Sequence, residues 1–412
     1  EGARAPYAPR APERPVQRTP LHAWHVRAGA RMTVFAGYEM PLWYTSALAE
    51  HKAVRTQAGL FDLGHMGVLS VSGRYAESFL NLVTTNYAGW LYPGQSQYGF
   101  LLDPEGQVID DLMVYRLGPQ EFILIVNAAN EGKDWDWLCA VNEGRALLDP
   151  ERPWVEPDGP VTLRDLKREE GLVDLALQGP ASRAVLARLL SPQDRHRLVA
   201  LRRTEFLELR VAGHSLLCAR TGYTGEPLGY ELLVPGPAVE AVWEALLEAG
   251  REKGLIPCGL AARDSLRTEA GLPLYGHELA GELRILPHEA GFAPYVKLHK
   301  PFFVGRSAYL RALGNWTREV VRFWVEPGQR PIRAGALVVD ASGAVVGRVT
   351  SCVVLEEGQV GMALVPRALA ALDTRLGFVV SPGGEGRVPL VIWGKVIPRF
   401  LRKETLPAPG GE

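Results

Sequence analysis

A change in residue pattern near Gly314 divides the chain into two kinds of sequence. Before it, strand-like alternation, as in GVLSVS at 67–72 and EFILIV at 121–126, is interleaved with helical spacing, as in AVEAVWEALLEAG at 238–250. After it, short apolar runs are separated by glycines, and helical spacing is almost absent. The pattern predicts an α+β region followed by a separate all-β domain. Within the first region, we expect Gly250 to cap the helix at 238–250.

Composition is typical of a globular protein with several domains. The 412 residues exceed what one core normally organises, and 47% of them are hydrophobic, which allows extensive burial of apolar surface. The formal net charge of -1 excludes the uniform positive field of a protein that coats nucleic acid. Residues 1–17 are rich in proline and lack apolar periodicity, which predicts a disordered or loosely draped tail.

The cysteines give no sign of a disulfide framework or a metal site. The chain has four, at positions 139, 218, 258 and 352, with no CxxC pair and no adjacent histidine ligand. No apolar run is long enough to cross a bilayer, and the first residues do not resemble a signal segment. We therefore expect reduced thiols, no metal, no membrane association and a cytoplasmic location.

Two adjacent aspartates open the strand-like run GQVIDDLMVY at 106–115. Because strand side chains alternate, Asp110 and Asp111 should point to opposite faces, and one of them should face inward. An inward carboxylate is costly unless it is hydrogen-bonded or paired, so it is a candidate for binding a cationic or N–H-bearing ligand. The alternative from the residues alone is a solvated Asx turn.

The segment RTGYTGEPLGYE at 220–231 concentrates glycines among hydrogen-bonding side chains. Its three glycines permit backbone conformations that other residues avoid, and they bracket Tyr223, Glu226, Tyr230 and Glu231. This segment is suited to holding a polar aromatic ligand. A plain hairpin loop between two strands would have a similar sequence.

A third segment, CGLAARDSLRTE at 258–269, predicts a helix with Arg263 and Arg267 on one face. The planar guanidinium group suits a carboxylate ligand such as a glutamate tail. The alternative is ion pairing within the helix. We expect Asp264 and Glu269 to lie elsewhere on the surface.

Taken in order, these segments resemble the glycine-cleavage T-protein (aminomethyltransferase) family, and the resemblance runs from Arg18 to about Arg402. The supporting landmarks are HKAVRTQAGLFDLGHMG (51–67), IDDLMVY (109–115), LIVNAANEGKDWDWL (124–138), LALQGP (175–180), RTGYTGE (220–226), GLAARDSLRTEAGLPLYGHEL (259–279) and VKLHKPFFVGR (296–306). The resemblance implies a three-domain cloverleaf. We expect a tail at 1–17, two interwoven α+β domains at 18–313 and a β-barrel domain at 314–405.

The resemblance also implies a site in a central channel that binds tetrahydrofolate as the one-carbon acceptor. Asp111 matches the essential aspartate of the family. The matching folate contacts are Met66, Tyr98, Tyr115, Val126 and Asn127 on the pterin side, with Tyr223, Glu231 and Arg263 completing the pocket. No metal is implied.

The implied reaction transfers a methylene unit to tetrahydrofolate from an aminomethyl group on the lipoyl arm of H-protein, with release of ammonia. We expect a monomer that binds H-protein and no nucleic acid. Relatives with this fold demethylate small N-, S- or O-methyl compounds, and the departures from the family pattern lie on the donor side, near Pro294 and Arg399. A third alternative is a non-catalytic folate-binding module, whose cysteine-containing signature is replaced here by RTGYTGE.

Overall fold

The computed structural model describes residues 6–381 and 389–401. Its first elements form a small sheet of three strands in the order β1-β3-β2, in which β1 runs parallel to β3. The elements are β1 (Gln17–Arg18), α1 (His22–Arg27), β2 (Arg31–Phe35), β3 (Tyr38–Trp43) and α2 (Ala47–Thr56). Helix α2 begins where the Ser46 hydroxyl accepts a hydrogen bond from the amide of Ala49 at 3.1 Å, a normal N-cap.

A five-stranded antiparallel sheet in the order β6-β7-β8-β5-β9 forms the first α+β layer. Its strands are β5 (Gly67–Ser72), β6 (Gln95–Leu102), β7 (Val108–Gly118), β8 (Glu121–Val126) and β9 (Thr162–Asp165). Its helices are α3 (Ala76–Val83), α4 (Glu131–Asn142) and α5 (Leu166–Glu169). One face of the sheet packs on α3 and α4, with Phe79 and Trp137 fully buried in that core.

A six-stranded sheet in the order β11-β12-β13-β10-β4-β14 forms the second layer, and only its β14–β4 pair is parallel. Its strands are β4 (Ala58–Asp62), β10 (Val173–Gln178), β11 (Phe206–Val211), β12 (His214–Ala219), β13 (Gly229–Val234) and β14 (Leu255–Cys258). Its helices are α6 (Ser182–Ala187), α7 (Pro192–Ala200), α8 (Val239–Gly250) and α9 (Leu260–Ala270). Trp243 on α8 fills the core on one face of this sheet.

The predicted glycine cap of α8 is wrong. Gly250 is the last residue of the helix and has φ −91°, which is not the left-handed conformation of a cap. One further 3₁₀ turn follows at Arg251–Lys253, and Gly254 then terminates the run with φ +73°. The stop signal therefore lies four residues later, at the glycine that adopts the left-handed conformation.

The C-terminal region forms a closed antiparallel barrel of six strands in the order β15-β18-β17-β16-β19-β20. It follows α10 (Arg306–Gly314) and consists of β15 (Arg318–Val325), β16 (Leu337–Val339), β17 (Val345–Leu355), β18 (Gly358–Pro366), β19 (Arg375–Ser381) and β20 (Leu390–Ile397). Phe323 and Phe378 stack in its core with ring centroids 4.1 Å apart. The predictions of an α+β fold and of a C-terminal β barrel are confirmed.

The bounds proposed for the three regions remain a prediction, because residues 1–5, 382–388 and 402–405 lie outside the described part of the chain. Residues 6–16 form neither helix nor strand, and the Tyr7 hydroxyl donates a 2.8 Å hydrogen bond to Asp136 on α4. Across the two described stretches, no helix is both long enough and apolar enough to cross a membrane.

Candidate functional site

The candidate site is a cleft between the facing sides of the two sheets. Side chains on β7 alternate, so Asp111 and Tyr115 point away from the α3/α4 core, while Leu112 and Val114 point into it. On the second sheet, Glu231 lies on the face opposite the Trp243 core. Between the sheets, a narrow cleft that encloses a cavity of about 10 Å³ is lined by Tyr115, Ile125, Asp174, Phe206, Leu217, Ala219, Glu231 and Leu233. The cleft is therefore mainly apolar, with two carboxyl groups and one phenol.

Asp110 and Asp111 occupy opposite faces of β7, as strand alternation predicts. Asp110 is fully buried, and it accepts hydrogen bonds from Asn127 at 3.1 Å (backbone amide) and 2.8 Å (side chain) and from the Asn130 side chain at 2.7 Å. Asp111 accepts hydrogen bonds from the Tyr98 hydroxyl and from Asn127 Nδ2, both at 2.6 Å. The alternative of a solvated turn is wrong, because both carboxylates are held by protein donors.

Burial sets the protonation of this aspartate cluster. It raises the pKa of Asp111 to about 7, and the charge of Asp110 adds to this, while the hydrogen bonds from Tyr98 and Asn127 act in the opposite direction. Burial and then the charge of Asp110 raise the pKa of Asp134 on α4 well above its ordinary value. At neutral pH, Asp134 therefore holds a proton, while Asp111 is close to its midpoint.

The glycine-rich segment is a hairpin loop between β12 and β13, and it also presents an aromatic group to the site. The Tyr223 hydroxyl donates to the carbonyl of Pro273, and its ring lies 4.7 Å from the Arg263 guanidinium carbon. A Cβ on Gly222 would overlap the side-chain amide of Gln178, which would have to shift, so glycine favours the close approach of the loop to β10. The hairpin interpretation of this segment is therefore correct, and the interpretation that it holds a ligand stays a prediction.

The two arginines of α9 have different environments. Arg267 is 1% exposed and contacts Glu278 at 2.6 Å, Asp264 at 2.7 Å and Ser351 Oγ at 2.8 Å, so the alternative of ion pairing is correct for it. Arg263 has no carboxylate within 4.0 Å among the described residues, and its guanidinium group lies against a tyrosine ring. Arg263 is the one of the two that remains free to bind an anion.

The expected surface position of Glu269 is wrong. Its side chain is 21% exposed and contacts Arg55 at 2.6 Å and His51 at 2.9 Å, both on α2. Burial raises the pKa of Glu269, but the hydrogen bond from His51 and the charge of Arg55 outweigh it and leave the pKa at about 2. Glu269 therefore holds α9 against α2 as a carboxylate.

The structure gathers most of the predicted residues around the cleft. Tyr98 and Asn127 hold Asp111 through hydrogen bonds, and the charge of Asp111 adds to burial in raising the pKa of Tyr223. Met66 packs against two apolar clusters, one of which includes residues that line the cleft. Of the remaining residues, Tyr115 and Glu231 line the cleft, and Arg263 lies beside Tyr223.

Val126 differs from the others. It pairs with Leu112 on β7, and its side chain is fully buried in the α3/α4 core on the far face of the sheet. Only its backbone is left to contact a ligand in the cleft.

Sequence reasoning missed three features of the site. Asp174 interrupts the apolar run VDLAL and lines the cleft, and the charged residue within an inward-facing strand was a usable signal. Asp134 on α4 is close enough to Asp110 for the charge of Asp110 to raise its pKa. Phe292 and Tyr295 pack edge-on against Tyr98, at 5.7 Å and 5.2 Å between ring centroids.

Arg399 lies where the sequence departs from the family pattern. Its guanidinium group donates hydrogen bonds to the backbone carbonyls of Gly271 and, at 2.8 Å, Ala290. Burial lowers its pKa to about 10. Its guanidinium group therefore holds the C-terminal segment against the α+β region. Within the described residues, no group of three or more histidine, cysteine, aspartate or glutamate side chains could hold a metal ion.

Two packed α+β layers, a C-terminal barrel and, between the layers, a narrow cleft lined by two carboxyl groups and a phenol define the architecture of this protein. The family model described as the GCVT N-terminal domain matches residues 21–300. The chain belongs to the glycine-cleavage T-protein (aminomethyltransferase) family, and the membership predicted from its motifs is confirmed. It is accordingly a transferase enzyme.

Similar proteins support this assignment along almost the whole chain. An aminomethyltransferase of Symbiobacterium thermophilum is 41% identical over 374 residues, which cover 89% of this chain and 93% of the relative. One from Geobacillus kaustophilus is 40% identical over 362 residues, covering 87% and 92%. The crystal structure of glycine cleavage system aminomethyltransferase T from Bartonella henselae superposes with a TM-score of 0.77 at 33% identity, covering 92% of this chain and 96% of that one.

Proposed function

We propose that this enzyme transfers the methylene carbon of an aminomethyl group, carried on the lipoyl arm of H-protein, to tetrahydrofolate, with release of ammonia. The observation that carries the proposal is the Asp111 carboxylate, which is partly buried and held by Tyr98 and Asn127 at 2.6 Å each. Its position in a family of aminomethyltransferases supports the role of principal catalytic group.

The residues present fit tetrahydrofolate. Its pterin ring is planar and carries several N–H groups, which match the tyrosine rings and the carboxylates of Asp111 and Glu231. Its glutamate tail is anionic, and Arg263 offers a guanidinium group with no carboxylate partner among the described residues. We infer that Tyr98, Tyr115, Asn127 and Met66 surround the ring. When bound, the folate supplies the nitrogen atoms that take up the one-carbon unit.

The side chains of this enzyme then act by orientation and electrostatics. Ionised Asp111 orients and polarises an N–H group placed against it and stabilises positive charge that develops as ammonia leaves. Tyr98 and Asn127 fix the two carboxylate oxygens, so little reorganisation is needed during the reaction. The apolar walls of the cleft keep water away from the reacting carbon.

The pH dependence follows from the pKa of Asp111. Because the active form is ionised and its pKa is raised to about 7, kcat/KM should rise with pH below 7 and level off above it. Replacing Tyr98 by Phe removes a hydrogen bond that lowers this pKa, so the rising limb should move up by about one pH unit. The measurement is kcat/KM between about pH 5.5 and 9, a range in which a carboxyl midpoint near neutrality is visible.

Tyr7→Phe is the matched control, because it removes a similar tyrosine–aspartate hydrogen bond, of 2.8 Å, far from the cleft. Its profile should coincide with that of the unchanged enzyme. An unshifted profile for Tyr98→Phe would show that Asp111 is not the group whose ionisation limits the rate.

Arg263 gives a separate prediction about the folate tail. Arg263→Ala should weaken tetrahydrofolate binding about tenfold, because it removes a charge-assisted hydrogen-bonding partner of a carboxylate. Binding of a tetrahydropterin, which has no glutamate tail, should be unchanged. Isothermal titration calorimetry measures both, with the exposed Arg251→Ala as the control. If Arg263→Ala weakened the binding of both ligands by the same factor, Arg263 would not be a contact of the glutamate tail.

A comparison of donors tests the proposed function. Tetrahydrofolate is incubated with the enzyme and either aminomethylated H-protein or dimethylglycine, and methylenetetrahydrofolate and methyltetrahydrofolate are both measured. We expect methylenetetrahydrofolate from H-protein and no product from dimethylglycine. Methyltetrahydrofolate from dimethylglycine, with no product from H-protein, would make the enzyme a demethylase. As further parts of the proposal, we expect a monomer in the cytoplasm that binds no nucleic acid.

A further inference from the structure

An unexplained buried acid lies in the cleft. Asp174 is 3% exposed, and its Oδ1 has no hydrogen-bond partner among the described residues. Its neighbours on β10, Val173 and Leu175, point into the Trp243 core on the other face of the sheet. A buried polar atom without a partner costs stability, so an apolar residue here would give a more stable fold. The position is one where a ligand would supply the missing partner.

Asp174 and Glu231 form a pair on adjacent strands. Asp174 is paired with Leu233 and Ala176 with Glu231, so the two acids are diagonal neighbours on one face, with Cα atoms roughly 7–8 Å apart. Both line the cleft together with Tyr115. The Thr221 hydroxyl donates to Glu231 Oε2, whereas Asp174 Oδ1 has no donor within the part of the chain that the structure describes.

The groups around Asp174 favour its neutral form. Burial and then the charge of Glu231 raise its pKa well above the ordinary value, and Asp62 on β4 adds in the same direction. Arg263 on α9 opposes these effects without cancelling them. Asp174 is therefore protonated near neutral pH, so its carboxyl group can both donate and accept hydrogen bonds.

We propose that Asp174 is a further recognition residue of the cleft and that, with Glu231, it forms a paired-carboxyl subsite for the N–H-bearing edge of a planar heterocycle. The proposal rests on the proposed function and deepens it, since the pyrimidine edge of a pterin presents ring and amino N–H groups beside a carbonyl. A carboxylate matches the N–H groups, and a protonated carboxyl matches a mixed donor and acceptor edge. Phe206 and Leu233 supply apolar walls for the ring.

Ligand binding to the intact enzyme tests this subsite. Dissociation constants are measured for tetrahydrofolate, for a tetrahydropterin that has the ring alone, and for p-aminobenzoylglutamate, which has the tail alone. Asp174→Leu should weaken the first two about tenfold or more and leave the third within about twofold, because it removes hydrogen bonds to the ring only. Leu175→Val, on the same strand but facing the core, is the control.

Two further measurements separate recognition from a structural role. Thermal unfolding of Asp174→Leu should occur at the same or a higher temperature, since the variant removes a buried acid. In Asp174→Asn, which keeps the shape but cannot titrate, binding of the tetrahydropterin should lose the weakening that the unchanged enzyme shows at high pH. This second test holds even if the leucine variant does not fold.

The outcomes distinguish the two proposals. Unchanged affinity of Asp174→Leu for both ring-bearing ligands, or a pH dependence that persists in Asp174→Asn, would overturn the subsite alone. Failure of the unchanged enzyme to bind tetrahydrofolate would overturn the proposed function and the subsite together.

Discussion

Replacing Asp111 by Asn should lower kcat by about three orders of magnitude while leaving the fold and most of the tetrahydrofolate affinity intact. The substitution keeps the shape of the side chain but removes the charge that stabilises positive charge in the transition state. Tyr98 can still donate to the remaining oxygen, so the local structure should persist. Steady-state kinetics and calorimetry on the same preparation measure the two quantities.

Asp103→Asn is the matched control for this experiment. Asp103 lies in the turn between β6 and β7 and accepts hydrogen bonds from the backbone amides of Glu105 and Gln107, both at 2.9 Å. Its replacement should leave kcat unchanged. Activity of Asp111→Asn within about tenfold of the unchanged enzyme would remove Asp111 from its assigned role, since one preorganised group is worth more than that.

Replacing Arg267 by Leu should lower the free energy of unfolding by about 3–5 kcal/mol, because it leaves the buried carboxylate of Glu278 without its counter-charge. Glu278 is fully buried and lies 2.6 Å from Arg267, and the Ser351 hydroxyl also donates to it at 2.6 Å. Ser351 belongs to β17, so this network fastens α9 to the barrel. Denaturant unfolding followed by circular dichroism measures the loss.

Arg311→Leu supplies the comparison, because Arg311 and Glu151 form an ion pair with both side chains more than half exposed. That pair should contribute about 0–1 kcal/mol. Adding Glu278→Leu to Arg267→Leu should recover part of the loss, since the uncompensated charge is then removed. A loss below about 1 kcal/mol for Arg267→Leu alone would contradict the structural role of the network.

Features set by local pattern could be predicted from the sequence. Alternation places GVLSVS and EFILIV in β5 and β8 with the expected bounds, and the glycine-separated runs after Gly314 form the barrel. The same alternation correctly separates Asp110 from Asp111. These predictions succeed because side-chain direction in a strand depends only on position along it.

Features set by distant partners could not be predicted. The environment of Arg267 depends on Ser351, which is far away in sequence, and that of Glu269 depends on Arg55 on α2. Thr162–Asp165 forms β9 because it pairs with β5, which lies far away in the sequence. A single sequence does not show which distant residues contact each other.

The candidate site also combines features that the sequence predicts with features that depend on distant partners. Its residue types came from motifs and from the family resemblance, but the raised pKa of Asp111 depends on its burial, and the diagonal pairing of Asp174 with Glu231 depends on the register of β10 against β13. Val126 illustrates the limit, because its motif position suggests a contact while the register turns its side chain into the core.

The most direct test of the account is the joint yield of ammonia and methylenetetrahydrofolate from aminomethylated H-protein and tetrahydrofolate, followed with and without the enzyme. We predict that the enzyme accelerates both products, that they form in equal amounts, and that Asp111→Asn abolishes the acceleration. Tight tetrahydrofolate binding without any stimulated formation of the two products would contradict the proposed transfer reaction.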